Sequence, residues 1–222
     1  SDLRIQSSSE NIDASAAGSF GVDISGFYQS EEIAYNDFNG RWRGGFNISN
    51  IGPKISYDVD GQETPIPTNL KIGGGFDFIF DQYSTLAVST EFNKLLVPTP
   101  SDSNGDGVIN SEDDFFNESF FSGIFTSFGD APDGFSEELK EVTWALGLEY
   151  MYQDAFALRT GYFNESNEKG ARKFATLGAG FKFKAATIDL SYLFSTSRVR
   201  NPLENTLRFS LTFNLGEEYV EY

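Results

Sequence analysis

The feature that most constrains this chain is the strict alternation of side chains near its end. Over residues 206–215, Leu207, Phe209, Leu211, Phe213 and Leu215 take every second place, with Arg208, Ser210, Thr212 and Asn214 between them. A period of two fits a strand with one apolar and one polar face, and no helix. The same rhythm recurs over 19–29, 41–49, 69–79, 84–94, 141–152, 155–162, 174–183 and 186–194, with a partial strand at 2–7. In 141–152, for example, Val142, Trp144, Leu146, Leu148 and Tyr150 alternate with Thr143, Ala145, Gly147 and Glu149. This gives about ten strands, most of them near the length that a tilted strand needs to cross a bilayer.

Composition alone does not separate the folds built from such strands. Apolar residues make up 39% of the chain. No uninterrupted apolar run approaches the roughly 18 residues of a membrane-spanning helix. A transmembrane barrel needs none, because its apolar surface is spread over alternate residues of many strands. A soluble β-sandwich or lipocalin-like barrel could also hold 23 Phe and 10 Tyr. Charges on the polar face do not decide either, since both folds solvate one face.

The rhythm of the connections does decide. Those near 80–83, 153–154 and 184–185 are very short. The alternate ones, 50–68, 95–140, 163–173 and 195–205, are longer. The connection 30–40 is of medium length but falls on the short side. Short turns on one rim and long loops on the other are the pattern of outer-membrane barrels, with the short turns periplasmic. Tyr28, Tyr83, Tyr150, Tyr152, Tyr162 and Tyr192 lie near strand ends, where an aromatic girdle sits. The expected fold is all-β: a transmembrane antiparallel β-barrel in a single domain over 1–222, with a long extracellular insertion at 95–140.

Several function classes drop out. There is no Cys, hence no disulfide and no thiolate metal site. There is no His, the commonest transition-metal ligand and general base. A net charge of −17 offers no basic stripe for nucleic acid. No nucleophile–base arrangement is visible, so no enzyme is expected. No signal peptide is visible, and Ser1 reads as mid-strand, so the expectation is a chain lacking its natural start.

Three constellations could carry function. Asp102, Asn104, Asp106 and Gly107 match D-x-[DN]-x-[DN]-G, the opening of a calcium loop. Calcium takes several oxygen ligands at once, and Asp102, Asn104, Asp106, the Val108 carbonyl, Asn110 and Asp113 could supply them. Asp113 stands at the twelfth position, where such loops use the longer Glu. The alternative is a solvated acidic turn. The role of a bound ion would be to order an outer loop. Next, Phe115, Phe116, Phe120, Phe121, Phe125 and Phe128 crowd one segment, with Phe116/Phe120 and Phe121/Phe125 at helical spacing. Such a cluster either buries itself over the barrel mouth or forms a partner-binding or lipid-contacting surface. Ser136 reads as the N-cap of a second helical turn over 136–140. Last, Glu149 with Arg159 and Asp189 with Arg208 fall on adjacent strands of the polar face. They either brace the lumen or line a substrate path, and bracing is the more general use.

Several stretches resemble one family. They are Phe156-Ala-Leu-Arg159-Thr-Gly161-Tyr162-Phe163, Gly178-Ala-Gly180-Phe181-Lys182, Asp189-Leu-Ser-Tyr192 and the run Asn201-Pro202-Leu203 to Ser210. Upstream, Asn50-Ile-Gly52-Pro53-Lys54-Ile-Ser-Tyr57, Ile66-Pro67-Thr68-Asn69-Leu70 and Glu91-Phe-Asn93-Lys94-Leu95-Leu96-Val-Pro98 belong to the same resemblance. Together they resemble the PorV (LptO) family, outer-membrane barrels of the type IX secretion system that are similar in fold to the FadL transporters. The Asn-x-Gly-Pro piece is shared more widely among FadL-like barrels. The resemblance implies a fourteen-stranded barrel of which this chain holds the C-terminal part. It implies binding of the C-terminal signal domain of secreted cargo at the SprA (Sov) translocon, and delivery to the cell-surface attachment complex. FadL-like transport of hydrophobic small molecules is the alternative. Its ligand residues lie partly in an N-terminal region that this resemblance does not carry over.

Overall fold

The computed structural model describes residues 18–55, 63–108, 113, 117–131, 134–197 and 205–214. These form one antiparallel sheet: β1 (Val22–Gln29), β2 (Ile33–Ala34), β3 (Asn39–Ile51), β4 (Asn69–Ile79), β5 (Ser84–Leu95), β6 (Thr143–Tyr152), β7 (Phe156–Asn164), β8 (Lys173–Phe183), β9 (Ala186–Ser195) and β10 (Leu207–Phe213). Apart from the two-residue β2, which pairs with β3, each strand lies beside its sequence neighbour, so the sheet is an up-and-down meander. β1 and β10 are its edges among the described residues. Two short helices, α1 (Phe120–Thr126) and α2 (Phe135–Glu141), interrupt the connection between β5 and β6. No described helix is long and apolar enough to cross a membrane.

The alternation read in the sequence is the alternation of the sheet. In β6, Trp144, Leu146, Leu148, Tyr150 and Tyr152 are all exposed, and the intervening residues are half-buried. Trp42, Phe46, Ile72, Phe92, Leu158, Leu177, Leu190 and Phe209 continue the exposed apolar face. Among the described residues, only Leu96, Ala131, Ala157, Ala171 and Leu193 form a buried hydrophobic set. A soluble sandwich would do the reverse, since its apolar faces meet in a core. This sheet presents grease outward and shields its polar face, as the wall of a membrane barrel does.

The expected rhythm of connections is present. Residues 80–83, 153–155 and 184–185 make tight turns on one rim. Gln153, Asp154 and Lys184 adopt left-handed backbone there, with φ of 54°, 51° and 52°. Two successive positive φ values, as at Gln153–Asp154, match the right-handed twist of the flanking strands. On the same rim the connection 30–38 folds back through β2. Tyr35 stacks on Phe38 with ring centroids 5.0 Å apart, and Phe38 meets Phe78 at 5.3 Å. This is an aromatic cluster at a strand end, where a girdle belongs. The partial strand expected at 2–7 lies outside the described residues.

The Asn50–Pro53 stretch has a backbone reason. Asn50 has φ of 58°, and its N–H donates to Asp23 Oδ1 at 2.8 Å. Its side chain donates to the Pro67 carbonyl at 3.2 Å, and Thr68 Oγ1 donates to the Asn50 carbonyl at 2.8 Å. Gly52 then passes so close to β1 that an added Cβ would lie 2.1 Å from the Phe20 carbonyl oxygen. The obstacle is backbone and cannot rotate away. Gly52→Ala is expected to lower the unfolding temperature clearly. Gly44→Ala, where a Cβ meets nothing closer than 3.9 Å, serves as the control and should change it little. Thermal melts of the two variants in detergent check this.

Candidate functional site

The long-loop rim gathers the chain's functional candidates. Connections 52–68, 96–142, 165–172 and 196–206 all leave strands at this end. The connection 96–142 is anchored on Lys94, which sits on the apolar, outward face of β5, opposite Leu70 of β4. An ammonium there, facing lipid, costs roughly 2–4 kcal/mol at the bilayer midplane and about 0–1 kcal/mol near its edge. α2 covers it. Lys94 Nζ donates to Glu138 Oε2 at 2.8 Å and to Glu141 Oε2 at 2.7 Å, and both Lys94 and Glu138 are buried. The other Glu138 oxygen accepts the Ala131 N–H at 2.9 Å.

This anchor extends sideways. Lys169, in the connection between β7 and β8, donates to Glu141 at 3.0 Å and Glu137 at 3.2 Å. Lys140 pairs with Glu168 at 2.7 Å. Glu165 and Arg172 close that connection as a fork, at 2.8 and 2.7 Å. Burial pushes the Glu141 carboxyl up, but the Lys94 and Lys169 ammonium groups outweigh it and hold the group below its ordinary value of 4.5. The Arg172 guanidinium does the same for Glu165 against the opposing effect of burial. The helical turn expected over 136–140 is present one residue longer at each end. Its N-cap is Gly134, with no side-chain cap, in place of Ser136. The φ of 72° at Gly134 selects glycine at that position.

α1 divides the Phe cluster. Ser119 is its N-cap and accepts the Ser122 N–H. Phe121 and Phe125 share one face and stand 60% and 75% exposed, with Phe128 beyond them at 51%. Phe120 is half-buried and lines a narrow cleft with Ile66, Leu96 and Pro98. It is therefore an anchor of α1, and only part of the cluster faces outward. Phe115 and Phe116 lie outside the described residues.

The acidic loop is organised by carboxylates accepting backbone amides. Asp102 Oδ1 accepts Gly105 N–H at 2.6 Å, and its Oδ2 accepts Gly107 N–H at 2.7 Å. Asn104 Oδ1 accepts Asp106 N–H, and Asp106 Oδ1 accepts Val108 N–H. Gly105 and Gly107 take the left-handed backbone that this winding requires. Asp113 is fully buried, and its Oδ1 accepts the Ser103 and Asn104 amides. Among the described residues no three acidic side chains converge as a metal cluster. Asn110 lies outside them.

On the polar face, Arg159 of β7 is the hub. Its Nε pairs with Glu149 on β6, and its Nη1 reaches across β8 to Asp189 on β9. The expected Asp189–Arg208 pairing gives way to this one, because Arg208 stands opposite Ser191 in the register. The reach across β8 needs Gly180, where a Cβ would lie 2.6 Å from Asp189 Oδ1. A glycine in the strand between two charges was the sequence signal for it. Arg43 with Asp77 at 2.6 Å and Lys71 with Glu91 at 3.7 Å pair further charges of this face.

The rim anchor should be acid-labile. A carboxyl with a depressed folded-state pKa contributes stability above its unfolded value, and that contribution is lost as pH falls through the folded one. Limited proteolysis of the β5–β6 connection is expected to accelerate once pH drops below the ordinary carboxylate range. Lys94→Ala, which strands buried Glu138 at a local cost of roughly 3–5 kcal/mol, should give the same cleavage at neutral pH.

No curated protein matches the chain. A family model described as "Type IX secretion system protein PorV" matches residues 1–102. That match takes in the Asn50–Pro53 turn, β4, β5 and Lys94, and it ends at Asp102, the first residue of the acidic loop. Over those residues, a little under half of the chain, the protein is similar to the PorV family of the type IX secretion system.

Proposed function

We propose that this protein acts at its long-loop rim as a docking component of type IX secretion. In this reading it binds the C-terminal signal domain of secreted cargo at the SprA (Sov) translocon and passes it to the cell-surface attachment complex, with the long loops extracellular. The observation that carries it is the exposed Phe121 and Phe125 face of α1, beside half-buried Phe120. Exposed aromatic clusters rimmed by polar residues suit protein recognition. The alternative, FadL-like passage of hydrophobic small molecules, needs a greasy interior. The polar face here carries Arg43, Asp77, Lys71, Glu91 and the Arg159 hub, which favours the docking reading.

Phe121→Ser with Phe125→Ser is expected to reduce co-purification with translocon and cargo severalfold while the barrel stays folded. Phe120 is left in place so that α1 keeps its anchor. Recovery of partners at wild-type levels would sink the proposal.

We also propose that the 102–113 loop takes Ca²⁺ in a structural role. Asp102, Asn104 and Asp106 bring oxygen donors to one winding turn, the donor chemistry that a hard cation uses. The expected result is faster protease cleavage within 95–140 on adding chelator, with Asp102→Ala/Asp106→Ala equally labile in either condition. Identical cleavage of the wild-type chain with and without chelator would count against calcium.

A further inference from the structure

α2 repeats the inversion of the wall. Its inward side carries Glu138 and Glu141, locked onto Lys94. Its outward side carries Phe135 and Leu139, four residues apart on one helical face and 76% and 58% exposed. In water this arrangement is backwards, since the carboxylates are buried and the phenyl and isobutyl groups are bare. Beside it runs an apolar groove of about 220 Å³ lined by Leu70, Ile72, Phe92, Phe128, Phe135 and Leu139. Leu70, Ile72 and Phe92 belong to the outward face of β4 and β5, so the groove is the upper end of that face. Trp144, paired with Phe92, adds an aromatic at the same level.

We propose that α2 is a membrane-interface anchor whose Phe135 and Leu139 insert into the outer leaflet, with lipid acyl chains filling this groove. Continuity selects the occupant. The groove joins Ile72 and Phe92 to Phe135 and Leu139, and the two charges that also line it, Lys94 and Glu138, are paired with each other. Glu137, Lys140, Glu168 and Lys169 form a paired charged belt at the headgroup side of the helix. An amphipathic helix lying in the interface buries its apolar face roughly 5–10 Å into the headgroup–acyl boundary. Lys94 explains why the helix stays there. A cation on the lipid face of a strand needs cover, and the two glutamates of α2 provide it. This anchor uses α2, the wall and Phe128, and the docking face proposed above is Phe121 and Phe125 of α1.

The absence of cysteine makes the test clean. Phe135→Cys and Leu139→Cys are made singly in the intact protein, spin-labelled, and reconstituted in phosphatidylcholine vesicles. Collisions with oxygen, which concentrates in hydrocarbon, are compared with collisions with a water-soluble nickel chelate. Ile72→Cys on the wall and Glu31→Cys on the opposite rim are the lipid and water references. The expected result is an oxygen-to-nickel ratio at both α2 positions severalfold above that at Glu31 and in the range of Ile72. Adding Glu138→Ala to the labelled chain should move it toward the Glu31 value as α2 lets go. A ratio at 135 and 139 equal to that at Glu31 overturns the proposal. So does a label shielded from both reagents only when translocon is added, which would make the groove a protein interface.

Discussion

Backbone amides and carbonyls have no water to bond inside hydrocarbon, so a chain that crosses it must satisfy them within itself. The meander of nine strands, with β2 added on β3, does this between neighbours across its width. Once the backbone is paired, side chains are free to invert the ordinary rule of burial. Leucines, phenylalanines and tryptophans face out, and arginine, glutamate and aspartate face the shielded side. Every other feature depends on that inversion. The polar face becomes a place where ion pairs span strands, as Arg159 does over the glycines of β8. The apolar face becomes a place where any charge needs a dedicated cover.

Lys94 is that exception, and it links the wall to the rim. It places a charge at the upper end of the apolar face, and α2 folds down to meet it. The same helix is tied through Lys169 and Lys140–Glu168 to the next long connection. These two connections are therefore cross-braced, and α1, within the first of them, presents Phe121 and Phe125. Residues 1–102, which are similar to the PorV family of the type IX secretion system, include Lys94 and the strand on which it sits. The rim is where the exposed chemistry collects.

Much of this was legible from one dimension. The strands fell within a few residues of their expected ends, and 69–79 coincides with β4. The short and long connections alternate as read. Period-two patterning fixes a strand's faces whatever it pairs with, so such features survive folding unchanged. The Phe121/Phe125 pair was also visible, because helical spacing is local. Less legible was the partial burial of Phe120, which depends on Ile66, Leu96 and Pro98 arriving from two other segments. The cap at Gly134 was missed because it rests on backbone conformation at glycine, with no capping side chain to signal it.

The sequence by itself determined the alternation, the rhythm of connections, the lack of Cys and His, and the acidic and aromatic clusters. These are properties of neighbours along the chain. The tertiary structure decided which charges meet. Asp189 could have paired with Arg208 on the adjacent β10, and the register, together with a missing Cβ at Gly180, gave it to Arg159 two strands away on β7. It also decided that Lys94, one more lysine at a strand end when read in sequence, is buried against two glutamates more than forty residues away. Register and long-range closure set those contacts, and neither is written in local periodicity.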